Sequence, residues 1–100
     1  MIFDWNEDKN RQLLAERGVS FEMAVAKIAK GEIVDLYRHP SHEKYPGQFI
    51  FVLELNGYFY CAPFVKQGET YFLKTLFPSR KAAKIYQGKH HDQPQSDSAR

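Results

Sequence analysis

Two periodicities divide this chain. From residue 48 to residue 77 apolar positions come in short runs rich in aromatic and β-branched residues, broken by turn formers. That is the signature of antiparallel strands. Between residues 19 and 31 they recur instead at helical spacing. The strand-like runs are 48–55 (Gln-Phe-Ile-Phe-Val-Leu-Glu-Leu), 58–65 (Tyr-Phe-Tyr-Cys-Ala-Pro-Phe-Val) and 70–77 (Thr-Tyr-Phe-Leu-Lys-Thr-Leu-Phe). Asn56-Gly57 supplies the two positive-φ residues of a type I′ turn, and Lys66-Gln67-Gly68-Glu69 suits a longer loop with Gly68 left-handed. The pattern predicts a three-strand meander. Both faces of 48–55 are apolar, which places it centrally. Pro63 cannot donate a ladder hydrogen bond and calls for a bulge or a strand end.

Upstream, Ile2-Phe3-Asp4-Trp5 alternates as a short edge strand does. Asn6 or Asp4 caps a first helix, with Glu7 and Asp8 in its first turn, and Gly18 closes it after Arg17. Its apolar stripe, around Leu13, is narrow. A second helix starts from the N-cap Ser20 and carries Phe21, Ala24, Val25 and Ile28 on one face, up to Gly31. That face is the natural cover for the sheet. Residues 33–39 read as a further strand, and the Pro- and Gly-bearing segment 40–47 as a loop. After Pro78, Ser79 caps a short last helix ending at Gly88. The predicted domain is 1–87, and the polar stretch 88–100 is expected to be disordered.

Composition narrows the class. One hundred residues, 43% hydrophobic and 15% aromatic, suffice for one core. A net charge of +2 permits an acidic partner without requiring one. The single cysteine, Cys61, gives no internal disulfide and no sign of an oxidising compartment. Neither a signal-peptide start nor an apolar run of the roughly 20 residues a membrane helix needs is present. The expectation is a soluble cytoplasmic protein without membrane association.

Phe3-Asp4-Trp5-Asn6-Glu7-Asp8-Lys9-Asn10, followed by Glu16-Arg17-Gly18-Val19-Ser20-Phe21-Glu22-Met23-Ala24, resembles the opening of BrnT-type toxins. These are small ribonucleases of bacterial type II toxin–antitoxin pairs. Phe77-Pro78-Ser79-Arg80-Lys81-Ala82 stands where that family leads a strand into its Ser-Ala-Arg-Arg-Ala helix. The resemblance implies an α+β, RelE-like fold: two N-terminal helices on a four-stranded, mainly antiparallel sheet with a short C-terminal helix. It further implies a metal-independent endoribonuclease that inhibits translation and needs no cofactor. An antitoxin encoded next to it would be its partner, and DNA would be touched only through that antitoxin. Asn6 replaces the family's usual Asp, and Glu16-Arg17 its Lys-His, so no role of that histidine carries over. The final helix also holds fewer basic residues. A second reading is therefore a catalytically inactive module of the same fold that binds a protein partner.

RNA cleavage of this kind needs the 2′-hydroxyl deprotonated, the phosphate charge offset and the leaving oxygen protonated. The resemblance places the cleft near the last strand and its helix, making Lys74, Arg80 and Lys81 the catalytic candidates. The bland alternative is a solvated helix face for Arg80 and Lys81 and a snorkelling Lys74. His39, in or beside the loop, titrates near neutrality and is a candidate acid or base; with His42 it could equally be an exposed loop residue. Pro40 and the lack of further ligands argue against a metal there. Tyr60 and Tyr71, like Tyr58, offer rings for stacking on single-stranded RNA or for packing in the sheet. Lys9, Asn10 and Arg11 on the first helix suit RNA, antitoxin or a surface ion pair. Cys61 reads as core, with no neighbour to activate it.

Overall fold

The computed structural model describes residues 1–91. Their order is β1 (Ile2–Asp4), α1 (Glu7–Arg17), α2 (Phe21–Ala29), β2 (Asp35–Arg38), β3 (Gln48–Leu55), β4 (Tyr58–Gln67), β5 (Thr70–Leu73), β6 (Phe77–Pro78) and α3 (Arg80–His91). The hairpin signals act as the residue types demand. Asn56 and Gly57 both take positive φ, 53° and 79°, and Gly68 turns the next loop at 62°. β3 and β4 pair over their full facing length, from Gln48 opposite Val65 to Leu55 opposite Tyr58.

The sheet has six strands in the order β1-β5-β4-β3-β2, with β6 also on β4. Two features correct the four-stranded expectation. The alternating N-terminal residues form a true strand that runs parallel to β5, with Phe3 opposite Tyr71 and their rings 5.6 Å apart. The expected strand 70–77 is split into β5 and β6, and Pro63 gives the reason. Its carbonyl accepts the Lys74 N–H at 2.8 Å. A strand residue points its N–H and C=O the same way, so the N–H that proline lacks would also face the β5 side. With no donor there, the chain leaves β4 after Leu73 and rejoins it where Phe77 pairs with Cys61. The irregularity expected of Pro63 thus falls on its neighbour: residues 74–76 stand against 62–63, one residue more than regular pairing allows.

Both sheet faces are covered. Leu13 of α1 and Phe21, Ala24 and Ile28 of α2 pack with Val19 on Phe51, Leu53, Leu55, Ala62, Phe64 and Leu73. Ala82 and Ala83 of α3 pack on the opposite face, against Ile50, Val52, Phe59 and Cys61. This explains the double apolar face of β3.

Local chemistry sets the helix ends. Asn6 Oδ1 accepts the Lys9 N–H at 2.9 Å, Ser20 Oγ that of Met23 at 3.2 Å, and Ser79 Oγ that of Ala82 at 3.0 Å. Gly18 closes α1 in the left-handed region. α3 does not end at Gly88 but continues to His91. A helix-interior glycine costs only about 1 kcal/mol relative to alanine, too little by itself to stop a helix. The rest of the stretch expected to be disordered, residues 92–100, lies outside the described residues. Among the described residues no helix is long and apolar enough to cross a membrane.

Candidate functional site

The strongest collection of chemistry lies between the edge strand β2 and α3. Antiparallel register sets Asp35 opposite Val52 and Tyr37 opposite Ile50, so both polar residues share the sheet face that α3 covers. On α3, Ala82, Ala83 and Tyr86 follow the i, i+1, i+4 spacing of one face. The two small residues let the helix lie close to the sheet, and Tyr86 reaches across it. Its hydroxyl donates to Asp35 Oδ2. Asp35 Oδ1 accepts the N–H of its own neighbour Leu36 at 2.7 Å. Each carboxylate oxygen therefore has a donor.

Beside this pair opens a cavity of about 230 Å³, walled by Tyr37, Pro40, Ser79, Lys81, Ile85 and Tyr86, with Val52 and Ala82 at its base. That is small by the standard of sites for drug-sized ligands. The pKa shifts have separate causes. The hydrogen bond to Asp35 comes first, followed by burial and the carboxylate charge, and together they push Tyr86 up to about 12. Burial, and then the neighbouring Cys61, raise Tyr37. Burial also pushes the Cys61 thiol up, against the opposing pull of hydrogen bonding with Ser79 and Tyr37. At neutral pH all three are protonated. Cys61 is 5% exposed and is core, as its sequence setting implies; it is no nucleophile.

The residues singled out from sequence are partly gathered here and partly dispersed. Lys81 lines the cavity. Arg80 and Lys74 are exposed and do not line it. His39 is adjacent through Pro40, but its Nδ1 accepts the Ser41 N–H at 3.0 Å and its ring packs on Tyr45 at 4.4 Å. Those contacts make it a loop-shaping residue. Tyr60 is 8% exposed within the core under α1 and α2, which leaves no face for a base. Tyr71 packs against that same core, with the Lys66 ammonium over its ring at 5.6 Å. Lys9 and Arg11 belong to α1, across the sheet from the cavity, and Arg11 pairs with Asp8. Among the described residues no group of three His, Cys, Asp or Glu side chains could hold a metal ion.

Three residues of this site escape motif reading: Asp35, Tyr37 and Tyr86. The available signal was positional. Alternation along β2 puts Asp35 and Tyr37 on one face, and Tyr86 falls four residues after Ala82. No family model matches the chain, and neither a curated protein nor a solved structure matches it.

Proposed function

We propose that this chain is a ribonuclease toxin of the BrnT type, RelE-like in fold, that cleaves RNA without a metal ion in the cytoplasm and so inhibits translation. Its partner is an antitoxin encoded beside it, and it meets DNA only through that antitoxin. One observation carries the reading: a cation and two phenols, Lys81, Tyr37 and Tyr86, converge on one small concavity. Such a set matches the needs of 2′-hydroxyl attack on a phosphodiester. Lysine offsets the charge that develops on the phosphoryl oxygens, and neutral phenols handle the two protons. The order of elements, two helices on one sheet face and a last helix beside the cleft, agrees with the architecture that the resemblance implies.

The dispersal of the other basic residues favours a second reading, a non-enzymatic module of this fold that binds a protein. Lys9 and Arg11 lie across the sheet, and Lys74 and Arg80 stand outside the cavity. One assay separates the two. Purified protein is incubated with RNA in excess chelator, beside a Lys81→Ala variant whose fold is checked by circular dichroism. Cleavage by the parent, reduced at least tenfold in the variant, supports the enzyme. Intact RNA together with tight binding to the product of the adjacent gene supports the module.

A further inference from the structure

From the geometry we infer that Asp35 is a positioning residue that assigns the two phenols their roles: acting through Tyr86, it makes Tyr86 the proton acceptor and leaves Tyr37 the donor. The inference rests on the ribonuclease reading above. Tyr86 and Tyr37 both line the cavity, whereas Asp35 does not and reaches substrate only by way of the Tyr86 hydroxyl. A phenol whose proton is already directed at a carboxylate presents its oxygen, not its hydrogen, to whatever enters. Tyr37 feels the Asp35 charge but, among the described residues, donates no hydrogen bond to it, since Oδ2 is taken by Tyr86 and Oδ1 by the Leu36 N–H. The Cys61 thiol beside Tyr37 is a weak acceptor that releases the phenol proton to a better one.

The step balances. The RNA 2′-oxygen forms a bond to phosphorus as its proton moves to the Tyr86 oxygen, and the Tyr86 proton moves to Asp35. The phosphorus–5′-oxygen bond breaks, and the leaving oxygen takes the proton of Tyr37. The products are a 2′,3′-cyclic phosphate and a 5′-hydroxyl end. Asp35 then yields its proton to water, and Tyr37 recovers one from water. Neither oxidant nor further reactant is required.

The test uses single-turnover and steady-state cleavage of a short RNA by the full chain and by Asp35→Asn, Asp35→Glu, Tyr86→Phe and the Asp35→Asn/Tyr86→Phe double variant. Asparagine keeps a carbonyl that can accept from Tyr86, so the fold and the tether survive while the proton store is lost. The expected result is a kcat about 100-fold lower for Asp35→Asn, the lower end of the usual worth of a general base, with KM within twofold. Glutamate restores at least tenfold of that, and the double variant is no slower than the slower single one. A purely structural role would instead move KM and give additive losses in kcat. Loss of less than tenfold in kcat for folded Asp35→Asn, with the parent active, overturns this inference and leaves the ribonuclease reading standing. An inactive parent chain overturns both.

Discussion

The Asn10 carboxamide oxygen accepts the backbone N–H of Phe21 at 2.7 Å, locking the first turn of α2 to the middle of α1. Its Nδ2 donates to Glu22 Oε1 at 2.8 Å, so one buried side chain fixes the angle between two helices. Phe21 is itself wholly buried, and its N–H has no water to turn to. Asn10→Ala is expected to cost about 1–3 kcal/mol, the penalty for leaving a buried donor without a partner. Urea denaturation measures it; a loss below about 0.5 kcal/mol would refute the account. Asn10→Asp should be worse than Ala at neutral pH, since a second carboxylate then faces Glu22.

That contact also has a pH signature. The Asn10 donor is the largest of the influences holding the Glu22 carboxyl below its ordinary value of 4.5. A depressed carboxylate contributes stability that is present above its unfolded pKa and is lost as pH falls through the folded one. Between neutrality and pH 5 the contribution should stay level, and it should fade below about 4.5. Asn10→Ala should flatten this acid limb, and denaturation midpoints between pH 2 and pH 6 would reveal whether it does.

Tyr86 gives the opposite limb. Its folded value of about 12 lies above the ordinary 10, so its contribution is complete below pH 10 and is lost as pH rises towards 12. Phenolate absorbance should show a component near 12 that is absent in Tyr86→Phe and brought down towards 10 in Asp35→Asn. A Tyr86→Phe difference titration centred at the ordinary 10 would contradict the Asp35 contact.

Arg17 reaches from the end of α1 to the carbonyl of Leu76, donating from Nη1 at 2.6 Å. Leu76 is fully buried in the segment where the chain has left β4 and not yet rejoined it. Arg17→Ala should lower stability by about 1–2 kcal/mol and speed amide hydrogen exchange over residues 74–78 ahead of the rest of the sheet. Uniform acceleration across the sheet would mean that no local tie had been lost.

Asn56 does two things at the β3–β4 turn: it adopts positive φ, and its Nδ2 donates to the Gly18 carbonyl at 2.9 Å. Asn56→Ala should lose both, about 2 kcal/mol together. Asn56→Gly should retain the turn and lose only the tie, about half as much. Equal losses for the two variants would assign the whole effect to Gly18.

Local grammar was legible in the sequence and long-range consequence was not. Asn6, Gly18, Ser20, Asn56-Gly57 and Ser79 announce themselves because a cap or a tight turn is made within four residues. The requirement at Pro63 was also visible, but its resolution depended on the partner strand. Asn10 read as a surface residue of a wet helix, since its partners lie on the next helix. The same holds for the site: Lys81 was accessible through the resemblance, whereas the Asp35–Tyr86 contact spans 51 residues and belongs to no motif. Tyr60 was misjudged because an aromatic strand residue looks alike on either face of a sheet covered twice.

The parallel seating of Ile2–Asp4 beside Thr70–Phe72 bears on the order of assembly. Residues 2–4 have no strand to lie against until β5 has been made and the meander has closed. Nucleation therefore falls to the β3–β4 hairpin, where contacts are dense and near in sequence. β1 then fastens last, as a latch over a body already formed.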